Sequence, residues 1–184
     1  MTDRTDATET IASLYATGLR NAHAMETQAE ELLKRQIERL DAYPDLQARM
    51  QEHLHETRTQ QERLEILLRS IDETTSTFKD TAMAFVGNLA AAAHMPASDE
   101  VLKNAFASVA FENYEIAAYK SLIDLAGRAG ATEAVGPLRQ SCAEEQAMAA
   151  WLDSRIEAVT EQFLARSTGA PPLNPATAAG HSPL

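Results

Sequence analysis

Apolar residues recur every three or four positions along five segments of the chain, the spacing that keeps one face of an α-helix buried. The segments run from about 8 or 10 to 41, from 46 to 72, from 75 to 93, from 99 to 129 and from 132 to 166. All but the third are long enough to form the walls of a bundle. We therefore predict an all-α fold, a four-helix bundle with an extra short helix between the second and third bundle helices.

The predicted bundle accounts for residues 1–166 as one domain, a length that can close a single hydrophobic core. The remaining segment, 167–184, reads STGAPPLNPATAAGHSPL and is rich in Pro, Ala and small polar residues. No spacing within it would bury one face of a helix. We predict a disordered tail there.

Acidic residues interrupt the apolar stripes near the middle of each long helix. Two of them lie in the otherwise apolar stretch SVAFENYEIAAY of the fourth predicted helix. The interrupting residues are Glu26, Glu56, Glu112, Glu115 and Glu145. Antiparallel packing brings mid-helix positions to one level, so we expect these side chains to converge inside the bundle.

Burying ionised carboxylates is costly, and a cluster of them adds mutual repulsion. The inward faces, as the periodicity draws them, carry no Lys or Arg that would neutralise the group. Protonation would neutralise one or two members, whereas metal cations would neutralise all of them. Carboxylates from four facing helices are typical of sites for two iron or manganese ions, and an oxygen-rich ligand set disfavours zinc and copper.

Spacing alone leaves a structural interpretation open beside the metal site. The inward faces, as the periodicity draws them, lack the Glu-x-x-His pairs that are usual in such bundles. His53, on a polar section of the second helix, either binds metal or hydrogen-bonds within the core. Glu26 alone would also fit the solvated boundary of a long helix, Gln60 a satisfied polar neighbour, and Tyr119 a packing residue. The coincidence of acids on four helices favours the metal.

Composition and charge narrow the partners and the compartment. The formal net charge is -11 without a dense run of Lys or Arg, so nucleic acid is not an expected partner. The first residues, MTDRTDATET, lack the layout of a secretory signal, and no apolar run approaches the roughly 20 residues that span a bilayer. We expect a cytoplasmic protein with no membrane partner, in which the single cysteine, Cys142, is a buried apolar residue.

Four motifs occur in order along the chain. They are HAMETQAEELL (23–33), LQARMQEHLHETRTQQERLE (46–65), FENYEIAAYKSLIDLAGRAGATEAV (111–135) and AEEQAMAAWL (143–152). Over about residues 10–160 the chain resembles the bacterial YciE/YciF family of ferritin-like proteins. The resemblance implies a ferritin-like bundle that forms a homodimer in the bacterial cytoplasm, takes part in stress responses and holds a dinuclear metal site.

The resemblance also implies which residues bind the metal. The corresponding positions in this chain are Glu26, His53, Glu56, Glu112, Glu115 and Glu145. His53 and Glu56 match the family's H-L-E-E-T motif, and Glu112 and Glu115 match its E-H-Y-E-I-A motif. Gln60 falls where the family often has Gln, so the missing Glu-x-x-His pair is no objection.

The chain departs from the family pattern at three positions near the motifs. Asn113 replaces the histidine of E-H-Y, Ala84 stands where the family has the Glu of M-E-G, and Ala149 replaces an acid one turn after Glu145. These losses predict weaker metal binding than in relatives.

We predict a ferritin-like protein with a dinuclear iron or manganese carboxylate site in the bundle core, acting in bacterial stress response. One alternative is an enzyme, either metal-dependent and peroxidase- or catalase-like or an oxidase, with peroxide or oxygen as its small-molecule partner. Another is a helical interaction protein without metal, in which the glutamates are protonated or solvated.

Overall fold

A computed structural model describes residues 2–71 and 99–169, and these two segments form four helices without a strand. The helices are α1 (Thr2–Ile37), α2 (Pro44–Arg69), α3 (Glu100–Arg128) and α4 (Thr132–Thr168). The all-α four-helix bundle is therefore confirmed. The predicted short helix at 75–93 lies outside the described residues, as does the predicted tail from residue 170 onward.

Local hydrogen bonds set the helix ends. The predicted first helix continues to about residue 41, but α1 ends at Ile37, because the amides of Arg39 and Leu40 bond to carbonyls three residues back. The Gln47 side chain then donates to the carbonyl of Ile37 at 3.0 Å. At the other end of the chain, α4 continues past the predicted end at 166 and stops before Gly169, whose φ of 68° is left-handed and suits glycine.

Each helix is antiparallel to its two neighbours. On one side of α1, Arg58 of α2 binds Glu30 at 2.9 Å. On its other side, Ser108 of α3 donates to Gln36 at 3.1 Å. Helix α4 packs against both α2 and α3, so α1 and α4 lie diagonally opposite, as do α2 and α3. The end of α2 and the start of α3 therefore lie at opposite ends of the bundle.

The buried residues form two apolar clusters with polar residues between them. The first cluster includes Tyr15, Leu19, Leu64, Leu68, Leu122 and Leu138. The second includes Leu40, Tyr43, Leu46, Met50, Met148 and Leu152. Between them along the helices lie the buried side chains that we call the carboxylate layer: Glu26, His53, Glu112, Glu115 and Glu145.

Small residues lie where the helices pack closely. Gly18 brings α1 near α3, since a Cβ at this position would lie 2.9 Å from Leu122 Cδ1. Cys142 is buried in the first apolar cluster, as predicted. None of the helices in the described segments combines the length and the apolar character that a membrane crossing requires.

Candidate metal centre

Four buried side chains from three helices meet at the middle of the bundle. His53 on α2, Glu112 and Glu115 on α3, and Glu145 on α4 each offer one nitrogen or oxygen atom, and these atoms lie within 4.8 Å of one another. The four residues are at most 3% exposed. His53 Nε2 lies 3.2 Å from Glu112 Oε2 and 3.4 Å from Glu145 Oε2. The group is rich in ligand atoms and sheltered from water.

Glu26 completes the carboxylate layer from α1. It is completely buried, and the Tyr119 hydroxyl donates a hydrogen bond of 2.5 Å to its Oε1. Its Oε2 has no hydrogen-bond partner in the described part of the chain. Tyr119, predicted as a packing residue, is also fully buried and fixes the orientation of this carboxylate.

Glu56 occupies a different place from the other predicted ligands. Its side chain is 33% exposed, and its Oε2 lies 2.8 Å from His53 Nδ1, which donates to it. Both terminal nitrogens of Arg49 lie 3.2 Å from the same oxygen. Glu56 thus binds the outer nitrogen of the imidazole and lies outside the four-residue group. Such a contact orients the ring, here with Nε2 toward Glu112 and Glu145.

Gln60 restrains the opposite side of the group. It is completely buried, and its Nε2 donates to Glu145 Oε1 and, at 3.1 Å, to Glu144 Oε2. Arg63 in turn binds Glu144 through contacts of 2.5 and 2.9 Å. This chain of contacts holds one oxygen of Glu145, so that the other faces His53.

Two basic residues of α2 lie close to the layer but outside it. The inward face of α2 was predicted to carry no Lys or Arg, and neither Arg49 nor Arg63 is among its buried residues, although their side chains are only 14% and 17% exposed. Arg49 precedes Glu56 by two helical turns, a spacing that puts both on one side of α2 and could have revealed the pair. Neither arginine contacts the four-residue group directly, so neither neutralises it.

When no metal is bound, protons on the buried side chains neutralise part of the negative charge of the carboxylate layer. Burial raises the pKa of Glu112 to about 7, although His53 opposes it. Burial and neighbouring carboxylates raise the pKa of Glu26 and of Glu115 well above the usual value. Burial would lower the pKa of His53, but the surrounding carboxylates outweigh it and raise the pKa to about 12. For Glu145, His53 and Glu112 outweigh burial and lower the pKa.

The donor set fits a metal ion that prefers oxygen ligands. Glu26 Oε2 and Glu115 Oε1 accept no hydrogen bond from the described residues, and Glu112 Oε2 and Glu145 Oε2 have only the contact with His53 Nε2 described above. Buried polar atoms are nearly always hydrogen-bonded, so unpartnered oxygens in one layer call for an explanation such as an ion. Four carboxylates with one imidazole suit iron or manganese. His53 Nε2 becomes a ligand once it loses its proton.

Two of the three departures from the family pattern lie within the described residues. Asn113 is exposed, and its Nδ2 donates to the Val109 carbonyl of the same helix at 2.7 Å. It therefore lies outside the four-residue group, and its replacement of the family's histidine removes no member of that group. Ala149 is buried in the first apolar cluster. Ala84 lies outside the described residues.

Comparisons with known proteins assign the family. Residues 10–165 match the family described as Domain of unknown function (DUF892). Among solved structures, a protein from Xanthomonas campestris pv. campestris is 30% identical, with a TM-score of 0.73 over 85% of this chain and 98% of that chain. YcfI from Rhodopseudomonas palustris is 26% identical, with a TM-score of 0.68 over 78% of this chain and 92% of that chain.

The E. coli stress protein YciF is 24% identical, with a TM-score of 0.68 over 79% of this chain and 94% of that chain. At this identity the likeness shows the fold alone. The family match and the Xanthomonas structure support membership of a common family, and the predicted family resemblance is confirmed. The chain belongs to the DUF892 family, and its helical bundle has the fold of YciF.

Proposed function

We propose that this chain is a ferritin-like protein that holds two iron or manganese ions in its carboxylate layer. The observation that supports the proposal is the grouping of His53 with three buried glutamates in one layer, where Glu26 Oε2 and Glu115 Oε1 accept no hydrogen bond from the described residues and two further carboxylate oxygens face His53 Nε2. The proposed ligands are Glu26, His53, Glu112, Glu115 and Glu145. Bound iron or manganese would supply one-electron redox chemistry in a site sheltered from water.

The residues around the layer would position its ligands. Glu56 accepts a hydrogen bond from Nδ1 of His53, so that Nε2 of the same ring is left to bind the metal. Gln60 occupies one oxygen of Glu145, and Tyr119 occupies one oxygen of Glu26. Each of these contacts leaves a second donor atom of the ligand directed into the layer. We therefore propose a positioning role for Glu56 in place of direct metal binding.

Metal loading of untagged protein tests the proposal. After chelator treatment, loading with Fe(II) or Mn(II) and desalting, we expect about two equivalents of metal per chain. We also expect a higher thermal midpoint, because a ligand that binds only the folded state stabilises it by mass action. Fewer than one equivalent, with an unchanged midpoint, would contradict the proposal.

A double variant and a matched control make this test specific. Replacing both Glu112 and Glu115 by Gln removes two proposed ligands while keeping the side-chain shapes. We expect this variant to bind less metal and to lose the rise in thermal midpoint. Glu62, an exposed glutamate of α2, provides the control, and Glu62→Gln should behave like the wild type.

Tyr119 supports an enzymatic version of the same site. Burial and the Glu26 carboxylate raise the pKa of Tyr119 well above its usual value, so a protonated phenol lies beside the proposed ligands. A redox metal next to it would make a peroxidase, catalase-like or oxidase reaction feasible. Metal-loaded protein should then consume hydrogen peroxide or oxygen faster than the same amount of free metal. Equal rates would exclude the reaction that was measured.

A helical interaction protein without metal is the second alternative. The raised pKa of Glu26 and of Glu115 supports it, because protons on these buried carboxyls already remove part of the charge. This alternative predicts the same thermal midpoint with and without each metal. It also predicts that the double Gln variant is as stable as the wild type, or more stable, under all metal conditions.

We also propose a homodimer in the bacterial cytoplasm that takes part in stress response. These proposals rest on the motif resemblance, because the likeness to the stress protein YciF supports only the fold. Sedimentation analysis tests the dimer, and a single-chain mass at micromolar concentration would contradict it. Unchanged survival of a deletion strain under oxidative stress would contradict the stress role.

A further inference from the structure

A narrow cavity between α1 and α3 leads from the surface to the carboxylate layer. Its volume is about 40 Å³. Its apolar walls are formed by Ala29, Leu32, Leu33, Ala107 and Phe111. Leu32 and Ala107 are partly exposed, whereas Glu112, which also lines the cavity, is 3% exposed. The cavity therefore ends at Glu112, whose Oε2 lies 3.2 Å from His53 Nε2 in the carboxylate layer.

Gln36 and Ser108 separate this cavity from a larger one. The larger cavity, of about 390 Å³, lies at the end of the bundle among the α1–α2 turn, the start of α3 and the end of α4. Gln36 lines both cavities. Ser108 Oγ donates to Gln36 Oε1 at 3.1 Å, and Ser108 precedes Glu112 by one helical turn. This hydrogen bond thus lies between the end cavity and Glu112.

Size and lining restrict what can pass. A cavity holds one water molecule from about 10–15 Å³ upward, so about 40 Å³ admits molecules of a few atoms and no organic substrate. The apolar walls offer few hydrogen bonds, and a hydrated ion would lose its shell there at high cost. Hydrogen peroxide would likewise lose hydrogen bonds to water. Dioxygen is small, uncharged and weakly hydrated, and it meets each condition.

We infer that the cavity between α1 and α3 is the route by which dioxygen reaches the carboxylate layer, with the Gln36–Ser108 hydrogen bond at its outer end. This inference rests on the proposed function, because dioxygen would react only at a bound metal. The test of the route needs no metal, because dioxygen can be detected in the cavity of metal-free protein.

Paramagnetic dioxygen, dissolved under pressure, speeds the NMR relaxation of protons that it approaches. In metal-free protein we expect a larger effect at the Ala29 methyl than at the methyl of Ala126, which is fully buried in the first apolar cluster. Ala107→Leu should fill the cavity, so that the relaxation effect at Ala29 no longer exceeds that at Ala126. Ala110→Leu, on the exposed side of α3, should leave the larger effect at Ala29 unchanged. An effect at Ala29 no larger than at Ala126 would overturn the inference.

Two further variants keep the test informative. If Ala107→Leu does not fold, the smaller Ala107→Val narrows the same cavity and should reduce the excess. Ser108→Ala removes the hydrogen bond to Gln36 and should preserve or increase it. A decrease with Ser108→Ala would refute the place assigned to this hydrogen bond.

Iron-loaded protein separates this inference from the proposed function. When each protein is loaded with Fe(II) under anaerobic conditions and then mixed with dioxygen, Fe(II) supplies the electrons by oxidation to Fe(III), and Ala107→Leu should consume dioxygen more slowly than the wild type and Ala110→Leu, with equal iron content. If the wild type binds no iron, the proposed function fails, and the relaxation experiment still decides the route. If iron is bound but dioxygen does not enter the cavity, only the route is refuted.

Discussion

Replacing Glu112 with Gln should change stability in opposite directions without and with metal. Burial raises the pKa of Glu112 from 4.5 to about 7. One pKa unit corresponds to about 1.4 kcal/mol, so ionising this carboxyl costs the folded protein about 3 kcal/mol above pH 7. The cost is absent below pH 4.5, where the folded and unfolded states are both protonated, and it grows as the pH rises toward 7. Glutamine does not ionise and avoids it.

Urea unfolding in chelator measures this effect. At pH 8 we expect Glu112→Gln to raise the free energy of unfolding by up to about 3 kcal/mol, and at pH 5 by much less. Glu62→Gln, the exposed control, should show no such pH dependence. If Glu112→Gln is no more stable than the wild type at pH 8, or if its effect is the same at both pH values, the reasoning from a buried carboxylate is wrong.

Saturating metal should reverse the order of stability. At about a thousandfold excess of free metal over its dissociation constant, each bound ion stabilises the wild type by about 4.1 kcal/mol, more than the lead of about 3 kcal/mol that the variant has without metal. Glu112→Gln lacks one proposed ligand and should gain less. A variant that gains as much stability from metal as the wild type would show that Glu112 is not a ligand.

Three further substitutions test the contacts around the layer. Glu56→Gln should weaken metal binding about 10–100-fold, because His53 Nδ1 loses its carboxylate acceptor; titration against a chelating dye measures this, and unchanged affinity refutes it. Gln60→Leu should destabilise metal-free protein by about 1–3 kcal/mol in urea, because Glu145 loses a buried donor. Tyr119→Phe should lower the thermal midpoint, since the α1 carboxylate loses its hydrogen bond, and an unchanged midpoint would contradict this.

The spacing of buried residues explains which part of the layer could be predicted. Seven of the nine buried positions of α3 alternate by three and four: 105, 108, 112, 115, 119, 122 and 126, with 111 and 116 buried beside this series. Glu112 and Glu115 both belong to this series, and Glu26 and Glu145 fall on equivalent series in α1 and α4. An acid on such a series must face the core, so the periodicity of the sequence was sufficient to predict that these four glutamates are buried.

Glu56 shows where periodicity is insufficient. The inward series of α2 passes through His53, Thr57 and Gln60. Glu56 precedes Thr57 by one residue, about 100° around the helix, so it lies at the edge of the buried face. A long side chain there can turn inward or outward. Contacts with Arg49 and His53 decide the outcome, and these depend on side-chain positions that the apolar pattern does not contain.

The carboxylate layer also fixes how the helices align along the bundle axis. Because inward residues recur with the same spacing on every described helix, sliding one helix by seven residues would return most apolar side chains to apolar surroundings. The layer removes this equivalence. Such a slip would bring Glu145 to the level now held by Leu138 or Leu152 and bury a carboxylate among apolar side chains. The same acids that would bind a metal thus select one alignment of the helices before any metal arrives.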